Sequence, residues 1–371
     1  MLHRKFYKPV SRWLIGFFVG TMVIATTSPW FVRSYVPLLM DSVRETWTLA
    51  PGSHYRWRHE GYASTAIGPH GMPGQTEVAT PSDPRVKIAL WGDSQVEGVC
   101  VKDADKLFAQ LQREMSEQGR EVIVYPFARS GEDLSTWLPQ VARVEKALDI
   151  DQHIFLVVEQ EDYEVSVPTV EVPSDTNVRQ GMAAVLPAFV IHAARNVLTQ
   201  ADGHTPRSLR WSVGPVSESK PDATGSGTKT GAESGEATES NEAADSATVT
   251  ESIDGLNDNL KRLREATDRP ILLVHAPRRP EVLGDSVTWK VDRPDHADAF
   301  RRQVLAQKMD WLDATDDLVA SGMAGRWPHG FHNSVIGAGH LNATGYQVLA
   351  RTIAKRLAVE GSSVELIAPS N

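Results

Sequence analysis

The sequence predicts an α/β fold in which a parallel sheet is covered on both faces. Apolar, β-rich runs recur at 86–91, 122–125, 154–158 and 271–274. Segments with helical spacing stand at 105–118 and 133–147, between the first three runs. The runs at 154–158 and 271–274 are apolar throughout, as strands buried on both faces require. Strands that alternate with helices are joined by crossovers, and crossovers build parallel sheets.

The chain begins with a basic tail over 1–12, which holds Arg4, Lys5, Lys8 and Arg12. Residues 13–31 then carry no charge over 19 positions. That is about the length of a membrane-spanning helix. Trp13, Trp30 and Phe31 lie near its ends, where aromatic rings favour the membrane interface. The stretch is expected to be a single-pass transmembrane anchor with the N-terminus in the cytoplasm. The main domain would then be extracytoplasmic, and periplasmic in a Gram-negative cell. A cleaved signal peptide is the alternative, although 25–28 offers only a poor cleavage pattern. Residues 32–84 are poorly periodic and rich in Gly, Pro and Ser, and read as a lead-in that wraps the domain or serves as a stalk.

Regular structure is expected to begin at Val86. The first strand stops at Gly92-Asp93-Ser94. The helix over 105–118 places Leu107, Phe108, Leu111 and Met115 on one face, and Gly119 ends it. The helix over 133–147 does the same with Leu134, Trp137, Leu138, Val141 and Val144. An insertion over 166–252 separates the third strand from the fourth. Its stretch 182–198 is apolar and helical in pattern, interrupted at Pro187. Its tract 217–251 has no aromatic residue and only Val249 as a large aliphatic, so it is expected to be disordered. The insertion is where a protein partner would dock. The segments 85–165 and 253–371 are two parts of one domain.

Composition narrows the function. A net charge of −9 argues against a nucleic-acid partner, whose phosphates require basic patches. The single cysteine, Cys100, excludes an intrachain disulfide and a cysteine-based metal centre. Its neighbours Val99 and Val101 mark it as a buried core thiol. No phosphate-cradling loop, dinucleotide fingerprint or metal-ligand spacing stands out, so neither cofactor nor metal is expected.

Ser94 sits just past the carboxyl end of a buried strand, where open α/β sheets place their ligands. Far downstream, Gly339-His340-Leu341-Asn342-Ala343-Thr344-Gly345 opens a helical pattern. A serine becomes a nucleophile when a base takes its proton, and histidine is the usual base. The pair suggests a serine hydrolase or acyltransferase.

In these two blocks the chain resembles the SGNH (GDSL-type) hydrolase superfamily, over 85–165 and 253–357, and in particular its membrane-anchored extracytoplasmic members. The resemblance implies a three-layer α/β/α sandwich with a flavodoxin-like parallel sheet. It implies an enzyme that hydrolyses or transfers acyl groups, often acetyl groups on carbohydrates. It assigns Ser94 as nucleophile and His340 as general base. The Ser94 and Gly131 N–H groups would stabilise the oxyanion.

Two positions depart from that pattern. The acid expected three residues before the histidine is Gly337. A Ser-His dyad, an acid from elsewhere in the chain, or a backbone carbonyl must take its place. The asparagine expected after the third strand is Glu161, within Glu159-Gln160-Glu161-Asp162. An ionised carboxylate cannot donate to an oxyanion. Gln160 is the preferred substitute, ahead of Asn333. His275, just past the fourth strand, and Asn333 are weaker substrate-binding candidates. Arg278 and Arg279 would hold an anionic sugar or form a solvated loop. Asn342-Ala343-Thr344 fits the N-glycosylation pattern, but the resemblance assigns Asn342 to the histidine loop.

The expected function is a serine esterase acting on O-acyl esters, or an O-acetyl transferase on a cell-surface carbohydrate. The alternative is a non-catalytic carbohydrate-binding or scaffold protein on a decayed SGNH fold.

Overall fold

The computed structural model describes residues 3–31, 36, 38–58, 60–159, 162, 257–291 and 294–365. The insertion 166–252, with its stretches 182–198 and 217–251, lies outside the described residues.

The chain enters through α1 (His3–Phe31). Among the described residues no helix is long and apolar enough to cross a membrane. The transmembrane anchor expected over 13–31 is therefore not supported by the structure, which shows only that the stretch is helical.

The lead-in is more ordered than its sequence suggests. It holds two antiparallel hairpins, β1 (Leu38–Asp41) with β2 (Thr46–Leu49), and β3 (His54–Trp57) with β4 (Ala63–Ala66). Leu49, Tyr55 and Ile67 form a small apolar cluster with Val99 and Cys100 of the main domain. Gln75 Nε2 donates to the Val124 carbonyl at 3.2 Å, and the Ala79 N–H donates to Tyr125 Oη at 2.9 Å. Residues 38–79 are therefore packed onto the domain, and regular structure starts well before Val86. Strands this short carry too few alternations for a periodic signal to emerge.

Five strands form the main sheet: β5 (Val86–Gly92), β6 (Val122–Ala128), β7 (Gln152–Val157), β8 (Ile271–His275) and β11 (Asp310–Asp313). All neighbours are parallel, and the order is β11-β8-β7-β5-β6. Counted along the chain this is the flavodoxin-like order 2-1-3-4-5. The fold that the resemblance implied is the fold observed. A side hairpin, β9 (Glu281–Leu283) with β10 (Ser286–Thr288), follows β8.

Alternation along β5 divides the core. Ile88 and Leu90 join one apolar cluster, which includes Leu107 and Leu111 from α3 (Leu107–Glu117) and Leu349 and Ile353 from the final helix (Ala343–Glu365). Ala89 and Trp91 join the other, which includes Trp137, Val141, Leu260, Phe300 and Val304. Helices therefore cover both faces, giving three layers. Burying each large aliphatic side chain stabilises the fold by roughly 1.5–3 kcal/mol. The helix expected over 133–147 is broken into α4 (Leu134–Trp137), a 3-10 turn and α5 (Val141–Leu148). Pro139 sits in that turn, where its ring cannot continue an α-helix.

Candidate active site

The switch point of the sheet lies between β5 and β7, where ligands bind in open α/β folds. β5 ends at Gly92, and the chain turns into α2 (Ser94–Glu97). Asp93 caps that helix, its Oδ1 accepting the Gln95 N–H at 2.9 Å. Such caps are typically worth ~1 kcal/mol. The cap fixes Ser94 at the first helical position, on the carboxyl edge of the sheet.

Gly92 pairs with Ala128, so the Ser94 turn and the Ser130–Gly131 turn leave adjacent strands at the same edge. Gly131 has φ +82°, a conformation open to glycine at little cost.

His340 arrives from the loop before the final helix. Gly330 N–H donates to the His340 carbonyl at 3.0 Å, and Leu341 N–H donates to Gln95 Oε1 at 3.0 Å. The buried side chain next to Ser94 therefore ties the serine turn to the histidine loop. Asn342 opens the last helix, its Oδ1 accepting from Thr344 and Gly345 N–H at 2.9 and 3.1 Å. Its Nδ2 donates to the Trp327 and Gly330 carbonyls. Asn342 belongs to the histidine loop, as the resemblance implied.

These contacts place His340 Nε2 3.1 Å from Ser94 Oγ. On the other side of the ring, Nδ1 lies 2.7 Å from Glu60 Oε2. The His340 backbone N–H donates to Glu60 Oε1 at 3.0 Å. Glu60 is 8% exposed and sits in the turn between β3 and β4. A carboxylate at Nδ1 keeps the ring proton there and leaves Nε2 free to act as base. Gly339 makes this approach possible: a Cβ built on it would lie 2.1 Å from Glu60 Oε1. Ser94 Oγ also lies 2.9 Å from Asp93 Oδ2, so its one proton has two acceptors to choose between.

The acid partner thus comes from the lead-in, not from position 337. Gly337 instead offers its carbonyl to Val282 N–H at 3.3 Å. Sequence reasoning missed Glu60 because it stands in a turn with no recognisable spacing to the histidine.

Asn333 is drawn into the same arrangement. Its Oδ1 accepts Gly61 N–H at 2.8 Å, and its Nδ2 donates to the Gly61 carbonyl at 3.2 Å. It clasps the peptide next to Glu60. His275 goes elsewhere: it is 5% exposed, lies 3.6 Å from Asp313 Oδ1, and stacks on Trp311 with 5.4 Å between centroids. Register explains this, since His275 pairs with Asp313 across β8 and β11. Gln160 lies outside the described residues. Asp162 accepts the Val158 and Glu159 N–H groups at 2.7 and 2.9 Å, and burial together with the Asp93 carboxylate raises its pKa.

Arg279 is 6% exposed and pairs with Glu281 at 3.0 Å, and Arg278 pairs with Glu159. Arg279 is packed, whereas Arg278 stays partly exposed on the surface. His329 is fully buried, and neither ring nitrogen has a hydrogen-bond partner among the described residues. Burial, with the charges of Arg278, His340 and Arg279, holds its pKa down at about 3.

Cys100 is buried, as expected, with Sγ 3.9 Å from Glu60 Oε2. Among the described residues, Glu60, Cys100 and His340 bring possible metal-ligand atoms within 4.8 Å of one another. A cation there would displace the proton that joins His340 to Glu60.

No family model and no curated protein matches the chain. Similar solved structures include a lipase/acylhydrolase from Enterococcus faecalis, at 12% identity over 74% of this chain and 96% of that one, with a TM-score of 0.37. The periplasmic domain of a lipopolysaccharide acetyltransferase from Salmonella ser. Paratyphi A aligns at 12% identity over 74% and 84%, with a TM-score of 0.35. A family 3 carbohydrate esterase from Clostridium thermocellum aligns at 10% identity over 74% and 99%, also at 0.35.

Proposed function

We propose that this chain is an SGNH-type serine enzyme that cleaves or transfers O-acyl esters. The observation that carries the reading is the continuous relay Ser94–His340–Glu60, with contacts of 3.1 and 2.7 Å. Ser94 Oγ attacks the ester carbonyl while His340 Nε2 takes its proton. Glu60 stabilises the imidazolium through Nδ1–H. The Ser94 and Gly131 N–H groups donate hydrogen bonds to the oxyanion that develops on the carbonyl oxygen, each such donor being worth ~3 kcal/mol in comparable sites. Gln160 is the proposed third donor. The tetrahedral species collapses as His340 returns the proton to the leaving alcohol. Water, or a sugar hydroxyl, then attacks the acyl-enzyme with the same base.

A carbohydrate ester is the proposed substrate class. Its support is an aromatic surface beside the relay. Tyr62, two residues after Glu60 and 55% exposed, stacks on His332 at 5.5 Å. Flat aromatic faces suit the apolar faces of sugar rings, as in many ligand sites. Action outside the cytoplasm is likewise proposed, supported by basic residues ahead of the uncharged stretch 13–31, the order found in export signals.

A fluorophosphonate probe with p-nitrophenyl acetate turnover tests the reading. The wild-type chain should be labelled. Ser94→Ala should lose labelling and lower kcat by on the order of 10⁴ or more, and His340→Ala should weaken both. A folded wild-type chain that neither labels nor turns over would sink the enzymatic reading.

A further inference from the structure

Glu97 is a buried carboxylate that the relay does not use. It lies three residues after Ser94, at the end of α2, and is 1% exposed. Burying a charged carboxylate is costly unless its oxygens are hydrogen-bonded. Here three donors meet it. Glu97 Oε2 accepts the Ser130 N–H and the Ser130 Oγ–H, both at 2.7 Å. Glu97 Oε1 accepts the Tyr55 hydroxyl at 2.7 Å. The fully buried Lys106 ammonium lies nearby and donates to the Glu97 carbonyl at 2.9 Å.

The position of these donors matters. Ser130 directly precedes Gly131, whose N–H the proposed mechanism aims at the oxyanion. Holding both the N–H and the hydroxyl of Ser130 restricts the peptide that carries the Gly131 N–H. The far side of the same turn is held as well: Glu132 is 3% exposed and lies 3.2 Å from Arg129 Nε and 3.6 Å from Arg44. Tyr55 sits on β3, and Glu60 follows in the turn after that strand. One hairpin therefore reaches both the acid of the relay and the clamp on the oxyanion turn.

We infer that Glu97 is a positioning residue that sets the Ser130–Gly131 peptide against the Ser94 turn, with Tyr55 as its arm from the lead-in. The inference rests on the proposed esterase reading. Glu97 touches no reacting atom and acts only through the direction of the Gly131 N–H.

The test compares p-nitrophenyl acetate with its thionoacetate analogue on the full chain. Sulfur is a poorer hydrogen-bond acceptor than oxygen, so the oxo/thiono rate ratio reports on oxyanion donors. In Glu97→Gln the carboxylate charge is lost, and the amide nitrogen can sit only against a hydroxyl such as Tyr55 Oη, which must then turn from donor to acceptor; the clamp is weakened. The expected result is a 10- to 100-fold lower kcat on the oxo ester, KM within about threefold, and a ratio at least tenfold smaller. Tyr55→Phe removes one arm without adding a polar group and should lower kcat about three- to tenfold, with a smaller ratio. Val99→Ala, in the neighbouring apolar cluster, controls for simple destabilisation and should keep the wild-type ratio. If Glu97→Gln fails to fold, Tyr55→Phe decides alone. An active wild type whose clamp variants keep its ratio overturns the inference and leaves the esterase reading standing. An inactive wild type overturns both.

Discussion

The edge of the main sheet and the lead-in hairpin make an instructive pair. The edge contributes Ser94, Gly131 and His340 from segments that announce themselves: a strand end, a turn glycine, a loop before a long helix. The hairpin of β3 and β4 contributes Glu60 and Tyr55 from a stretch with no motif and little periodicity. Yet Glu60 makes the shorter of the two relay contacts. A serine presented at a strand end needs a sharp turn and a helix cap, which leave a trace in local sequence. An orienting carboxylate needs only to arrive at one ring nitrogen, and any element able to reach it will serve.

The sharpest way to break this comparison is Glu60→Gln. If the hairpin matters as much as the edge, kcat should fall by on the order of 10³–10⁴ with the fold intact, because the imidazolium loses its counter-charge. Steady-state kinetics with circular dichroism would check it. A loss below tenfold would demote the hairpin to packing and return the site to a Ser-His dyad.

The next effect concerns the edge alone. His329 has its pKa held at about 3, chiefly by burial, against an ordinary value near 6.5. The unfolded chain therefore binds this proton more readily than the folded one. Stability from this group is complete above pH 6.5 and is lost as pH falls towards 3. Each tenfold in proton affinity is about 1.4 kcal/mol, so the loss reaches on the order of 5 kcal/mol at the acid end. Melting temperature measured against pH should fall more gently in His329→Asn. Equal slopes would show that His329 is not a major source of acid sensitivity.

The smallest effect tests the link between the two regions. Asn333→Ala removes the amide that clasps Gly61 beside Glu60. About 1–2 kcal/mol of stability should go with it, along with a five- to tenfold drop in kcat at nearly constant KM. A change in KM alone would instead give Asn333 the substrate-binding role expected of it from the sequence.

Four of the five sheet strands were legible because a strand buried on both faces must be nearly continuous in apolar residues. β11 was not: its four residues, Asp310–Asp313, are half polar and three of them are only partly buried. It lies at a sheet edge whose faces are only partly covered, unlike the fully buried edge strand β6, so the pattern of a strand buried on both faces does not apply to it. The uncharged stretch 13–31 gave its helix, while the membrane anchor expected there is not supported by the structure. His275, expected just past the fourth strand, is instead its last residue, and its partner was decided by register with Asp313.

The sequence by itself determined the layered α/β architecture, the serine turn and the late histidine. Each of these depends on residues close together in the chain: an apolar run, a capping aspartate, a glycine beside a histidine. Only the tertiary structure decided which acid meets His340, which side chains steady Ser130, and what Asn333 holds. Those contacts join positions such as Glu60 and His340, which lie 280 residues apart. No local pattern encodes them, because they exist only once the hairpin has packed against the carboxyl edge of the sheet.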